Sequence, residues 1–105
     1  MIRQDIDING YWKITVLYDA PLGGTKDTGF TYTDFINKRS IVGIAKTTNQ
    51  EQFFNTLVHE TKHVQSHICH YYDVPEDSED AAYLIGYIMQ KMHRVFRNFI
   101  YTDTE

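Results

Sequence analysis

The hydrophobic pattern of this chain changes its period once, close to Thr48, and that change limits the folds that the chain can adopt. Before Thr48, apolar and β-branched residues alternate with polar ones, which is typical of strands. After it, apolar residues recur every three or four positions, which is typical of amphipathic helices. We therefore expect an α+β protein in which a small sheet comes first and helices follow.

Three segments before the change have the composition of strands: residues 11–18, 30–36 and 40–45. Proline and glycine residues separate the first segment from the second and mark a loop. The polar residues 37–39 between the last two segments are short enough for a tight hairpin. The sequence thus predicts a small, largely antiparallel, three-stranded sheet.

A long helix is predicted after the sheet. Thr48 followed by Glu51 is a capping-box signature, and the helical period continues to about Tyr72. The apolar residues of this segment fall on one arc, which should pack on the sheet. The arc contains Phe53, Phe54, Leu57, Val58, Val64 and Ile68.

A second long helix is predicted to begin after a break at Pro75, with Asp77 or Ser78 as its cap, and to reach about Tyr101. Ala82 and Gly86 lie four apart, where small side chains would let another helix approach closely. The apolar arc of this helix is wide enough to add a homodimer contact to its core face. The arc contains Leu84, Ile85, Ile88, Met92, Val95, Phe96 and Phe99.

A length of 105 residues suits one compact domain, so residues 1–105 are expected to fold as a single unit. The balance of 14 acidic against 10 basic residues gives a net charge of −4, which is the wrong sign for binding a phosphate backbone. Lys91, Arg94 and Arg97 recur at helical spacing and should form one solvated helix face. No nucleic-acid partner is therefore expected.

The N-terminal residues contain no continuous apolar segment, so neither a signal peptide nor a membrane-spanning helix is predicted. Cys69 is the single cysteine, which excludes an intramolecular disulfide and a cysteine-rich zinc cluster. These features favour a cytoplasmic protein that makes no membrane contact.

The first predicted helix contains the run His59-Glu60-Thr61-Lys62-His63. Two histidines four apart on a helix have Cβ atoms about 6 Å apart on one face, so both imidazoles can reach one ion. Helical projection places both histidines opposite the sheet-facing arc. Glu60 projects between the two faces, where it can accept a proton from a water molecule held at the ion. The run predicts a zinc site with Glu60 as the catalytic general base.

An ordinary solvated helix face is the alternative, because five histidines in a short chain raise the odds of such a spacing. His67 continues the same face but lies about 12 Å from His59 along the helix axis, too far to share one ion with it. We expect His67 and His70 to be exposed or to serve a second site. His93 is too far along the second helix to take part and is expected at the surface.

A catalytic zinc ion needs a third protein ligand and an open coordination position. Glu79 stands in the first turn of the second helix, 16 residues after His63, and an antiparallel helix pair would bring it back towards the ion. We predict Glu79 as the third ligand. Pairing of an acid with the helix dipole would explain its position equally well, and Glu76, Asp77 and Asp80 could supply the same effect.

These residues resemble the active-site motif of the zincin metallopeptidases, in particular the gluzincin arrangement in which a downstream helix supplies a glutamate ligand. The metzincin branch differs, because its glycine and third histidine positions are here Ser66 and Cys69. Residues 78–84 are similar to the Glu-x-x-Ala-Tyr segment of small zincin-like proteins common in phages and mobile elements. The resemblance implies a minimal zincin-like domain with zinc as cofactor, with the ligands His59, His63 and Glu79 and the catalytic base Glu60.

Gluzincins often place an acidic residue four positions after the ligand glutamate, and this chain has Tyr83 there. A ligand imidazole usually needs a hydrogen-bond partner, which Asp73, Asp77 or Asp80 could supply instead. The candidates for stabilising an oxyanion are Tyr71, Tyr72 and Tyr83, each of which could equally serve aromatic packing.

The motif and the resemblance together predict a zinc-dependent peptidase that acts on an intracellular peptide or protein. Zincins often bind substrate as a strand added to a sheet edge, and residues 40–45 are the segment that we expect at that edge. Two alternatives remain. One is a non-catalytic module or inhibitor in which zinc staples two helices, which a closed four-ligand site would favour. The other is a protein that binds no metal.

Overall fold

The computed structural model describes residues 2–18, 28–45 and 50–103, and for Phe96 and residues 98–103 the backbone alone. Four strands come first: β1 (Ile2–Ile8), β2 (Trp12–Tyr18), β3 (Gly29–Asp34) and β4 (Arg39–Ile44). Two helices follow, α1 (Gln50–Tyr72) and α2 (Glu79–Asp103). The α+β class, with a sheet before two long helices, is therefore confirmed.

The sheet has four strands in the order β1-β2-β4-β3, so the prediction of three largely antiparallel strands is wrong in number and in pairing. The pairs β1/β2 and β3/β4 are antiparallel, whereas the central pair β2/β4 is parallel. The additional strand β1 buries only two side chains, Ile6 and Ile8, which gives a shorter apolar pattern than those of the predicted strands.

Residues 40–45 do not form a sheet edge, so that prediction is also wrong. β4 lies between β2 and β3, and its Val42 and Ile44 side chains are fully buried. The predicted hairpin between β3 and β4 is present, with residues 35–38 as its turn. The more apolar strand of the hairpin, β4, lies inside the sheet. The more polar strand, β3, is the edge strand and contacts α1.

One hydrophobic core lies between the sheet and both helices. Alternate residues of the strands enter it, as expected when successive side chains of a strand point to opposite faces. Tyr18 and Phe53 meet edge to face within this core, with ring centroids 6.2 Å apart. The largest buried apolar side chains are Trp12, Phe53, Ile8, Ile14, Ile44, Leu57, Ile88 and Met92.

Four of the six residues predicted to pack α1 against the sheet are buried, namely Phe53, Leu57, Val64 and Ile68. The other two lie to one side of this arc: Phe54 is 47% exposed and Val58 is half-buried. The predicted cap at Thr48 lies outside the described residues. The end of α1 at Tyr72 agrees with the sequence.

Ser78 caps α2, as its position before the helical period predicted. Its side-chain oxygen accepts a hydrogen bond from the Ala81 amide at 3.2 Å, and its carbonyl accepts one from Ala82 at 3.1 Å. Ala82 and Gly86 are exposed, and a Cβ atom at Gly86 would meet no described atom within 4 Å. The close helix approach predicted at these two residues is therefore not made by α1. Of the predicted apolar arc, Phe96 and Phe99 have side chains outside the described part.

Lys91, Arg94 and Arg97 of α2 are exposed, in agreement with their helical spacing. Within the described ranges, neither helix has a stretch long and apolar enough to cross a membrane.

Candidate metal centre

The structure brings His59 and His63 together on the exposed face of α1. Their ring centroids lie 5.0 Å apart, with the rings nearly perpendicular. Both side chains are exposed, because the helix turns its opposite face to the core. Two accessible imidazoles at this separation fit the spacing that one shared ion requires.

Glu60, which was expected to project between the two faces of the helix, is buried, with 6% of its surface exposed. The Thr31 hydroxyl of β3 donates a hydrogen bond to Glu60 Oε1 at 2.7 Å and lies 3.3 Å from the Glu60 carbonyl oxygen. A hydrogen bond to a carboxylate is stronger than one between neutral groups, so it fixes the side chain in place. Glu60 is thus a carboxylate held at the junction of α1 and the sheet edge.

A small pocket of about 160 Å³ adjoins the motif where β3 begins. His59 and Glu60 both line it, so the carboxylate is reached from the same side as one imidazole. The remaining lining residues are Thr28, Gly29, Asn55 and Thr56. The Glu60 carboxyl group and a candidate ligand therefore line the same pocket.

Gly29 permits the close contact between β3 and α1. A Cβ atom at this position would lie 2.8 Å from both the Gly43 carbonyl oxygen and the Thr56 methyl carbon, and 3.1 Å from Glu60 Cγ. Real Cβ atoms are not found so close to other heavy atoms, so a larger residue would force the strand and helix apart. Glycine at this position places Thr31 within reach of Glu60.

His67 is half-buried and hydrogen-bonded, so of the two alternatives, an exposed residue or a second site, the first does not hold for it. Its Nδ1 atom lies 2.7 Å from the Thr33 hydroxyl, which in turn lies 2.8 Å from the Ser40 hydroxyl. Trp12 Nε1 donates to Ser40 at 3.1 Å. These contacts form one hydrogen-bond chain from the core to the helix face.

One direction in this chain is set by its donor. An indole nitrogen can only donate, so the Ser40 oxygen accepts from Trp12. Either hydroxyl of the Thr33–Ser40 pair can be the donor, and the role of Thr33 towards His67 Nδ1 follows the tautomer of the imidazole.

Burial lowers the pKa of His67 below its ordinary value of 6.5, and the neighbouring His63 and His70 lower it further through charge repulsion. His70 is exposed and packs edge to face against Phe35 at 6.2 Å, and His93 is exposed as predicted.

Glu79 lies exposed in the first turn of α2. Gln65 Nε2 donates to the Ala81 carbonyl at 3.1 Å, and Lys62 Nζ lies 3.4 Å from Glu76 Oε2. These contacts hold the start of α2 and the turn before it against residues 62–65 of α1.

Residues 2–18, 28–45 and 50–103 nevertheless contain no group of three or more histidine, cysteine, aspartate or glutamate side chains placed to hold a metal. The structure thus assembles the histidine pair but does not place Glu79 with it, and Glu79 as third ligand remains a prediction. Cys69 is buried, which raises its thiol pKa and keeps the proton on sulfur.

The residues suggested for orienting an imidazole or stabilising an oxyanion are either exposed or packed against other aromatic rings. Asp73, Asp77 and Asp80 are exposed, and in the part of the chain that the structure describes no hydrogen bond joins them to an imidazole. Tyr71 and Tyr72 pack edge to face at 4.8 Å and both contact Trp12. Tyr83 is 71% exposed on α2.

Three residues that position the motif were not predicted from the sequence: Gly29, Thr31 and Thr33. The signal for the two threonines is the spacing of polar residues in the strand. Thr31 and Thr33 alternate with the aromatic residues Phe30 and Tyr32, so one face of β3 presents two hydroxyls. Knowing that this face contacts α1 requires the fold.

Comparison of the chain with protein-family models, with curated proteins and with solved structures finds no match.

Proposed function

We propose that this chain is a zinc-dependent peptidase in which His59 and His63 hold the ion and Glu60 is the general base. The observation that carries the proposal is the placement of three groups on one turn of α1: two accessible imidazoles 5.0 Å apart and a buried carboxylate held by Thr31. A purely solvated helix face gives no reason for the buried and anchored Glu60.

The chemistry that a bound zinc ion supplies is that of a Lewis acid, which polarises a carbonyl group and makes a water molecule more acidic. Imidazole nitrogens are suitable ligands for zinc, and Glu79 is the third ligand that we propose. Its position supports that choice, because Glu79 begins α2 three residues after Glu76, whose carboxylate contacts Lys62 of α1.

The chain's own residues move and hold the proton. Glu60 accepts a proton from the attacking water and can deliver it to the leaving amine, as a general base and then a general acid. The Thr31 hydrogen bond restricts the rotamers of Glu60, so the carboxylate does not have to be ordered during the reaction.

A peptide substrate is supported by the free edge of β3. Within the described residues, β3 pairs with β4 alone, and Thr31 of this edge strand is hydrogen-bonded to Glu60 of α1. An extended peptide can add to such an edge through main-chain hydrogen bonds. The segment proposed for substrate binding is therefore β3, which replaces the excluded residues 40–45.

Glu60→Gln tests the mechanism. The amide keeps the shape of the side chain but removes the base, so zinc binding should persist while hydrolysis of a peptide mixture falls by at least about 100-fold. Mass spectrometry of the mixture measures cleavage, and the protein without zinc is the control. Full hydrolysis by Glu60→Gln would refute the role of Glu60.

A further inference from the structure

An exposed apolar side chain stands at the tip of the β3–β4 turn. Ile36 is 91% exposed, and its backbone is held by Asp34, whose Oδ1 accepts hydrogen bonds from the amides of Ile36 at 3.0 Å and Asn37 at 3.2 Å. Asn37 Nδ2 also donates to Asp34 Oδ2 at 2.7 Å. Such a turn is rigid, so Ile36 is presented in a fixed position.

The same end of the molecule contains an apolar pocket of about 460 Å³ between the turn that joins β1 to β2 and the junction of α1 and α2. Its volume lies within the ordinary range for a binding pocket. Asp80 is its one acidic lining residue. The apolar walls include Tyr11, Ile68, Tyr72, Val74 and Leu84.

One aromatic cluster connects the Ile36 turn to this pocket. Phe35, beside Ile36, meets Trp12 edge to face at 6.4 Å, and Trp12 meets Tyr71 at 5.6 Å. Tyr72, which follows Tyr71, packs against Tyr11 in the pocket wall at 5.5 Å. The turn that carries Ile36 and the wall of the pocket are therefore connected through Trp12 at one end of the molecule.

The charges at this end are also complementary. Lys38 and Arg39 come two and three residues after Ile36. Together with Lys13 they line a groove beside the turn. Residues 73–80, of which Val74 and Asp80 line the pocket, contain five acidic side chains. Within the described ranges, Glu76 is the one of these five that makes an ion pair.

We propose that this end is a self-association surface at which two copies pair about a two-fold axis, with the Ile36 side chain of each copy in the apolar pocket of the other. Because the side chain and the pocket lie at the same end of the molecule, one two-fold operation would make both contacts and close the assembly. The basic turn of each copy then faces the acidic 73–80 segment of the other. A single exposed isoleucine is ordinary on a protein surface. A rigid isoleucine beside an apolar pocket and opposite charges is a self-complementary arrangement.

Sedimentation equilibrium of the full chain between about 10 µM and about 1 mM tests this pairing. The molecular mass should rise towards that of a dimer with concentration in the unaltered chain but stay monomeric in Ile36→Asp. Ile2→Asp is the matched control, because Ile2 is an exposed isoleucine at the opposite end of the strands, and its dimerisation should be unchanged. Thermal unfolding checks that both variants fold.

A charge exchange provides the second test. Lys38→Glu and Asp80→Lys should each weaken dimerisation at least about 10-fold, and the double variant should recover most of the loss because opposite charges face each other again. A chain that stays monomeric to about 1 mM, or a dimer that Ile36→Asp leaves intact, would overturn the proposal. Neither result bears on the zinc site, which lies elsewhere on α1.

Discussion

At the scale of single residues, two threonines of β3 hold two ionisable side chains of α1. Thr31 binds Glu60 and Thr33 binds His67, each at 2.7 Å. Both contacts are made by a threonine hydroxyl of the same strand, one to a carboxyl group and one to an imidazole. The two threonines can therefore serve as controls for each other.

Thr31→Val removes the hydroxyl that holds Glu60 and keeps the side-chain shape. A hydrogen bond to a charged group contributes about 1.5–3 kcal/mol, so kcat/KM for peptide hydrolysis should fall by about 10- to 100-fold. The loss should appear in kcat, and zinc affinity should stay unchanged. Thr33→Val is the control and should leave kcat within about 3-fold. Equal losses of kcat in the two variants would remove the specific role of Thr31.

His67 predicts a pH dependence of stability in the metal-free protein. Its pKa is lowered by folding, so below pH 6.5 the unfolded chain binds more protons at this residue than the folded chain. The free energy of unfolding should therefore decrease as the pH falls below about 6.5, and should be insensitive to this group above it. Urea unfolding of the protein and of His67→Gln, with chelator present, measures the difference. An identical pH dependence in both proteins would contradict the shift.

Local spacing was sufficient to predict the histidine pair, because His59 and His63 lie on the same helix. The burial of Glu60 and its bond to Thr31 could not be predicted in this way. They depend on which strand lies beside α1, and that is decided by contacts between residues 29 positions apart. The distance of Glu79 from the histidine pair could not be predicted from local spacing either, because it depends on how α2 packs.

At the scale of elements, the contact between β3 and α1 requires a glycine. Gly29→Ala places a Cβ atom 2.8 Å from both the backbone of β4 and the Thr56 methyl group. Such overpacking costs about 1–3 kcal/mol, so the free energy of unfolding should fall by that amount. Activity should fall as well, because the strand and Glu60 are moved apart.

Gly86→Ala is the matched control for that substitution. Gly86 lies in α2 with open space around its Cα atom, and alanine is favoured over glycine in a helix by about 1 kcal/mol. The variant should therefore be more stable than the parent. Chemical denaturation measures both changes, and a loss of stability in Gly86→Ala would show that this face of α2 is covered in solution.

The helices were predictable as elements because their 3.6-residue period extends over more than 20 residues each. The strand order was not, because antiparallel and parallel neighbours are chosen by long-range packing rather than by any one segment. β4 illustrates this. The apolar residues of β4 predict a strand. Its central position results from pairing with β2, which is not its neighbour in the sequence.

At the scale of the whole molecule, zinc binding should add to the stability of a small domain. A ligand that binds only the folded state stabilises it by about 2.7 kcal/mol at 100 times its dissociation constant. Thermal unfolding with and without zinc should show a higher Tm for the unaltered chain and for Glu60→Gln. His63→Ala should show no shift, since it lacks one ligand. A zinc-dependent shift retained in His63→Ala would place the ion elsewhere.

The separation of the two surfaces gives the molecule a simple organisation. The histidine face lies beside the edge strand β3, whereas the Ile36 turn and apolar pocket lie at the end where α1 meets α2. Self-association at that end would leave the edge of β3 free for a peptide. The homodimer contact that the sequence predicts through the wide apolar arc of α2 remains a prediction.

Zinc stoichiometry is the most direct test of the central claim that His59 and His63 hold a catalytic ion. Purified protein is titrated with zinc against a chromophoric chelator, and the bound metal is counted per chain. We predict one tightly bound zinc ion in the unaltered chain and in Glu60→Gln, and none in His59→Ala or His63→Ala. Absence of tight binding in the unaltered chain, or binding that survives loss of either histidine, would contradict the claim.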